Sequence, residues 1–161
     1  MFGLFGIGGR PNSIIRGEVK RLMGVVSPSV GSVVYCDLAE YVEHTGIYIG
    51  DNKIVHLDGS GIVEVVTPKQ FMGRLNGFNS SAHIYVSCKG KSAVGGKAIA
   101  ERAKKMVGSN RRYNILLDNC HQFTSGCITG NFENSDNFLW MLKHTAKNEI
   151  GVNKWLIWDD K

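Results

Sequence analysis

The sequence predicts an α+β domain in which an antiparallel sheet of about five strands packs against helices. Three observations predict it. Short runs rich in β-branched residues, separated by turns of Gly, Asp and Asn, fill residues 32–87. Segments with apolar residues at helical spacing dominate after residue 92. The 161 residues, 43% hydrophobic and 20% charged, suffice for one core without covalent staples. An N-terminal arm and helix (1–30), a catalytic core (31–130) and a C-terminal helix and tail (131–161) are expected to pack as a single domain.

Residues 1–9 are apolar, too few to span a bilayer, and lack the basic start of a secretory signal. They read as an arm, with contact to a membrane as the sharper alternative. Residues 13–23 have helical period behind Ser13 as cap. Strands follow at 32–36, 44–50 and 53–57, the last two joined by the tight turn Gly50-Asp51-Asn52. Residues 62–66 alternate like another strand, and Thr67-Pro68 opens a short helix. A fifth strand is expected at 82–87, with His83 as an ordinary surface residue, then a helix over 92–107 ended by Gly108. A buried strand at 113–117 leads to a helix from Cys120 to about 128, ended by Gly130. Residues 135–147 form a last amphipathic helix with Phe138, Leu139, Met141 and Leu142 inward. Residues 154–158 suit an edge strand or, with two tryptophans, a lipid contact.

Charge and cysteine content narrow the chemistry. The net charge of +5 points to an anionic partner, and the basic run at 97–112 reads first as a solvated helix face. Nucleic acid is not expected, because no aromatic interleaving or known module accompanies the charge. Cys36, Cys88, Cys120 and Cys127 form no CxxC pair, so neither a disulfide framework nor a metal cage is indicated, and no cofactor is implied. Free thiols suit a cytosolic setting, with peripheral membrane association or non-classical secretion as alternatives.

One thiol stands apart. Cys120 sits at an expected helix N-terminus, where unpaired N–H groups and a partial positive charge favour a thiolate. Cys127, two turns on, reads as a small buried hydrophobe. A base is available upstream: His44 and His56 are each about six residues from the hairpin turn, so antiparallel pairing brings them to matching heights. That is the geometry of a base and its orienting partner, although two strand histidines are also ordinary polar residues.

The motifs His44-Thr-Gly-Ile-Tyr-Ile-Gly-Asp, Ile54-Val-His56-Leu and Asn119-Cys120-His-Gln-Phe123 together resemble the lecithin:retinol acyltransferase family, over roughly residues 31–130. His121-Gln122 stands where that family usually has Glu-His. Val42 replaces an aromatic two positions before the first histidine, and Tyr41 compensates only with a shifted backbone. The membrane-spanning tail of several animal members is absent, which suggests a soluble or peripheral protein. The resemblance implies a circularly permuted papain/NlpC-like fold and a cysteine-dependent acyl hydrolase/acyltransferase, phospholipase A-like, acting on an acyl lipid or membrane surface. It implies Cys120 as nucleophile, His44 as base and His56 as its orienter, with Tyr41, Tyr48, Asn119 and His121 as substrate or oxyanion candidates. A cysteine peptidase, amidase or isopeptidase on the same fold is the alternative. The deSUMOylating isopeptidases of the PPPDE type share the order His before Cys, but use one histidine.

Overall fold

A computed structural model describes residues 24–39, 42–73, 83–111 and 119–159. The expected N-terminal arm and helix, the strand at 113–117 and Tyr41 lie outside the described residues. Eight strands and four helices are described: β1 Val25–Val26, β2 Val33–Ala39, β3 Val42–Gly50, β4 Lys53–Leu57, β5 Val63–Val66, α1 Pro68–Met72, β6 Tyr85–Lys89, β7 Ser92–Ala93, α2 Lys97–Met106, α3 Cys120–Thr129, α4 Leu139–Ile150 and β8 Lys154–Trp158. The strands make one mixed sheet in the order β1-β8-β6-β2-β3-β4-β5, with β7 paired to β6. The architecture is α+β, with more strands than the five expected. The additions are the two-residue β1 and β7, too short to carry a periodic signal, and β8, expected only as an edge strand or a lipid contact and now counted in the sheet.

The sheet buries apolar side chains on both faces. Val33, Ile47, Val55, Leu57 and Val63 face the helices α2, α3 and α4 and pack on Ile99, Phe123, Cys127 and Leu142. Val34, Cys36, Ile54, Val66 and Val86 form the opposite cluster with Phe71 of α1 and Trp158. Period-2 alternation assigns each strand to both clusters at once. The hairpin β3–β4 turns through Asp51 and Asn52, both with positive φ near 50°. Their short polar side chains tolerate that conformation.

Three expected elements shift. The helix expected from residue 92 begins at Lys97, because Ser92–Ala93 pairs with β6 and Val94 N–H donates to Ser87 O. The helix expected from Ser135 begins at Leu139. Asp136 is occupied in tying loop to helices, accepting from Ser125 Oγ at 2.7 Å and from Thr145 Oγ1. Phe138 therefore lies outside the core, 51% exposed. Strand β8 is internal rather than an edge, flanked by β1 and β6, and Trp158 is buried. Thr67 and Gln70 form the reciprocal capping box that opens α1. Arg102 is no part of a solvated face: its Nε and an Nη donate to Cys127 O and Ile128 O at 2.7 and 2.8 Å, capping the end of α3. No helix among the described residues is long and apolar enough to cross a membrane.

Gly46 fixes how closely β3 meets its neighbours. A Cβ there would lie 2.7 Å from Ile54 Cγ2, 2.8 Å from Val55 O and 3.2 Å from the Phe71 ring. Because one contact is backbone, the clash is not relieved by a rotamer change. Gly46→Ala is expected to lower stability by about 1–3 kcal/mol, read as a lower urea midpoint with an unchanged slope.

Candidate active site

The meander β3–β4–β5 places one polar side chain from each strand in a row. Strands β3 and β4 pair from Gly50↔Lys53 to Ile47↔Val55. Extending that register sets His56 across from Gly46, so His44, two residues along β3, shares its face. The bare Cα of Gly46 leaves room for Phe71, whose ring centroid lies 4.9 Å from His44 and 5.9 Å from His56. The imidazoles meet edge to face at 4.7 Å and share a hydrogen bond between His44 Nε2 and His56 Nδ1. His56 stands opposite Glu64 in the β4–β5 register, and its Nε2 donates to Glu64 Oε1 at 3.0 Å.

This row fixes the tautomers. A carboxylate only accepts, so His56 carries its hydrogen on Nε2. Neutral His56 then offers the Nδ1 lone pair, and His44 donates to it from Nε2. In that tautomer the Nδ1 of His44 carries no hydrogen, the form in which an imidazole nitrogen accepts a proton. His56 is fully buried and His44 nearly so; buried polar groups require such partners.

Cys120 opens α3. Asn119 caps the helix: its Oδ1 accepts from His121 N and Gln122 N at 3.0 and 3.1 Å, and its Nδ2 donates to Asn137 O at 2.8 Å. The cap engages the second and third helical N–H groups and leaves the first, that of Cys120, outside its reach. Cys120 Sγ lies 4.0 Å from Glu43 O and 3.9 Å from His121 Nδ1, and Thr45 reaches it with backbone and hydroxyl. Glu43 and Thr45 flank His44 on β3. The thiol therefore rests against the backbone that carries the first histidine. Thr45 Oγ1 also meets His121 Nδ1 at 3.3 Å and Thr124 Oγ1 at 3.1 Å, fastening the first turn of α3 to the strand.

Burial sets the electrostatics. It pushes the Cys120 thiol above the ordinary cysteine value, and the hydrogen bonds from Thr45 and the N–H groups of His121 and Cys120 offset this only in part. Desolvation thus opposes the thiolate that a helix N-terminus favours. His121 is pushed down to about 4 by burial and stays neutral at ordinary pH. Cys36, opposite His44 in register, is raised by burial first and then by Asp37 and Cys120. Cys127 is buried in the core, its thiol also raised by burial.

The structure brings Cys120 and His121 together against the strand residues that flank His44, and joins His44, His56 and Glu64 in one row. Asn119 is adjacent but committed to capping. Tyr48 is four residues from His44, about 13 Å along the strand, where its hydroxyl accepts from Asn52 N at 3.4 Å and its ring meets Trp158. It does not reach the thiol's surroundings. His83, half-buried, precedes β6. Among the described residues no group of three or more His, Cys, Asp or Glu side chains is arranged to hold a metal ion. Sequence reasoning missed Glu64 and Thr45. Glu64 carried a usable signal, since the turn at 58–61 folds the strand 62–66 back so that residue 64 meets residue 56. Thr45 carried none beyond its place beside His44.

The family model for Lecithin retinol acyltransferase matches residues 26–133. The chain belongs to the lecithin retinol acyltransferase family. Strands β2 to β5 and helix α3, with all the residues gathered above, lie inside the match. The chain is also similar to the genome polyproteins of avian encephalomyelitis virus, strains L2Z and Van Reokel, each 29% identical over 124 residues. That stretch is 76% of this chain and 5% of each polyprotein, so the chain spans about a twentieth of the length of these relatives. The family description is that of an acyltransferase, which fits a chain that presents a thiol against the strand carrying His44.

Two measurements test the electrostatics. Alkylation of Cys120 by iodoacetamide is expected to rise with pH through a midpoint above the ordinary thiol value of about 8.5. Thr45→Val, which removes a hydrogen bond to the thiolate, is expected to move the midpoint further up. His121 also makes stability pH-dependent. The unfolded chain takes up its proton near 6.5 and the folded chain only near 4. Between these values the unfolded state binds more protons, so stability falls as pH drops through that window and is unaffected by this group above it. The full loss is roughly 3 kcal/mol. Urea titrations at neutral and mildly acid pH are expected to show it, and His121→Gln to diminish it.

Proposed function

We propose that the chain is a thiol-dependent acyl hydrolase/acyltransferase, phospholipase A-like, that works through an acyl-thioester on Cys120, on a circularly permuted papain/NlpC-like fold. The observation that carries this reading is the polar row His44–His56–Glu64 on three successive strands, with Cys120 against the residues flanking its first member. The chain order, two strand histidines before the helix cysteine, supports the permuted arrangement.

In the reaction, His44 Nδ1 takes the proton of Cys120 as the sulfur attacks the carbonyl of an acyl ester. General-base transfer during attack suits a thiol that burial holds protonated. The oxyanion is met by the Cys120 N–H, which lies outside the reach of the Asn119 cap. Neutral His121, with Nδ1 3.9 Å from the sulfur, stands where a second polar contact to the tetrahedral intermediate is needed. The alkoxide leaves with the proton from His44. The thioester then passes its acyl group to water, giving a hydrolase, or to an amine or alcohol, giving a transferase. Glu64 holds His56, and His56 holds His44, so the imidazolium formed in the transition state faces a carboxylate through one intervening ring.

Intact mass after incubation with mixed phospholipid vesicles tests the proposal. Native protein is expected to gain a fatty-acyl increment that Cys120→Ala protein does not gain. Turnover is expected to vanish in Cys120→Ala and His44→Ala, to fall by about 10²–10⁴ when the base is only misoriented in His56→Ala, and to fall further in Glu64→Leu than in Glu64→Gln, which keeps the acceptor. Full turnover in Cys120→Ala would overturn the scheme. Absence of any adduct or released fatty acid, with cleavage of an acyl-peptide or isopeptide substrate by the same thiol, would assign the cysteine peptidase reading instead.

A further inference from the structure

Helix α4 carries a second surface that the thiol chemistry does not use. Trp140, Lys143, His144 and Lys147 recur at positions i, i+3, i+4 and i+7, which places them on one face of the helix. Leu142 and Ala146, off this stripe, are the buried residues of α4. The stripe is not a plain solvated face. It forms one wall of a cleft of about 390 Å³ whose other wall is Val152, Asn153 and Trp155, and no carboxylate is among the lining residues. Glu149 falls half a turn away from the stripe.

The cleft has an apolar lip. Trp140 is 68% exposed and Phe138, at the cap of α4, is 51% exposed. Two large rings left in water at the start of one helix form an unusual tip for a soluble surface. Lys143 lies deeper: its Nζ donates to Tyr35 OH at 3.2 Å and sits over the rings of Tyr35 and Trp155 at 4.5 and 5.5 Å. Burial lowers the Lys143 pKa, and Asp37 and Glu43 on its sheet side offset this only in part. Because Lys143 covers those ring faces, they are not open to stack a nucleic-acid base. A basic cleft with a protruding aromatic lip instead fits a lipid interface, where tryptophan settles at headgroup level and lysine meets phosphate.

We infer that the α4 face, with Phe138 and Trp140 inserted and the exposed His144 and Lys147 on headgroup phosphates, docks the protein on an anionic phospholipid surface. The inference rests on the acyl-lipid reading and adds the orientation of the protein on its substrate. Asn119 bonds to Asn137, next to the cap of α4, so the inserted tip lies beside the first turn of the cysteine helix. Tyr35, under Lys143, pairs in register with Thr45, so cleft and thiol share one face of the sheet.

The test uses the full chain with vesicles of phosphatidylcholine alone or with about a fifth phosphatidylserine. Flotation and tryptophan emission report binding, and the double variant Trp140→Ser/Lys147→Glu alters only exposed positions. Native protein is expected to bind the anionic vesicles in a salt-sensitive way with a blue-shifted emission, and the variant about tenfold or more weakly. Hydrolysis of vesicle lipid is expected to fall in parallel, while hydrolysis of a soluble short-chain thioester is unchanged. Equal vesicle binding by variant and native protein would overturn the inference, as would preferential binding of a single-stranded oligonucleotide that depends on the same two residues. Loss of the acyl-transfer reading has a different signature: no turnover of either substrate, with vesicle binding intact.

Discussion

The first turn of α3 is held on β3 by polar atoms, and the site depends on that seating. Thr45 Oγ1 meets both His121 and Thr124, and Asn119 fastens the helix start to Asn137. Apolar packing by Phe123 and Cys127 sets the depth of the helix but tolerates sliding, because hydrophobic contact has no direction. Hydrogen bonds between buried groups do not tolerate it: a slip of one turn would leave Thr45, His121 and Thr124 unpaired, at about 1–3 kcal/mol for each such group. The far end is also pinned, by Arg102 on the last carbonyls. A helix fixed at both ends delivers Cys120 to one place on the strand.

The meander supplies the matching constraint on the base. His44, His56 and Glu64 are aligned by strand register alone, since each tight turn dictates which residue faces which. Gly46 and Phe71 complete this arrangement from opposite directions, one by withholding a side chain and the other by filling the space with a ring against both imidazoles. A one-residue slip in either hairpin would send a member of the row to the other face. The Asp51-Asn52 turn, with both residues at positive φ, thus acts on the site from seven residues beyond His44 and four before His56.

Much of this was legible in the sequence because it rests on local rules. The hairpin at 50–52, the proline start of α1 and the Gly130 stop of α3 are each written in a few neighbouring residues, whereas Asn119, expected at the oxyanion, serves as the cap. The heights of His44 and His56 followed from counting residues to the turn. What stayed hidden depends on partners distant in sequence. Strand β8 is internal only because β1 pairs with it across some 130 residues of chain. The start of α4 was obscured because Asp136 bonds to Ser125 and Thr145 rather than joining the helix. The burial of Cys120 is hidden for the same reason: a helix terminus is visible in sequence, whereas the burial that opposes its effect on the thiol is made by strands some 75 residues away.

That burial changes what the thiol asks of its surroundings. A cysteine with a depressed pKa is ionised in advance but is a weaker nucleophile, because reactivity per thiolate falls with basicity. A buried thiol with a raised pKa has the opposite character: scarce as thiolate, strong once formed. Such a group is useful only if the proton is removed at the moment of attack, and that demands a base whose lone pair is in place beforehand. The Glu64–His56–His44 row meets this demand by fixing tautomers through two hydrogen bonds, without placing a formal charge beside the sulfur in the resting state. In the proposed reaction, the same dry surroundings that raise the thiol would also suit an apolar acyl chain. Thiol burial, base tautomer and an acyl substrate are therefore mutually consistent, and each is weakened if the first turn of α3 leaves its seat on β3.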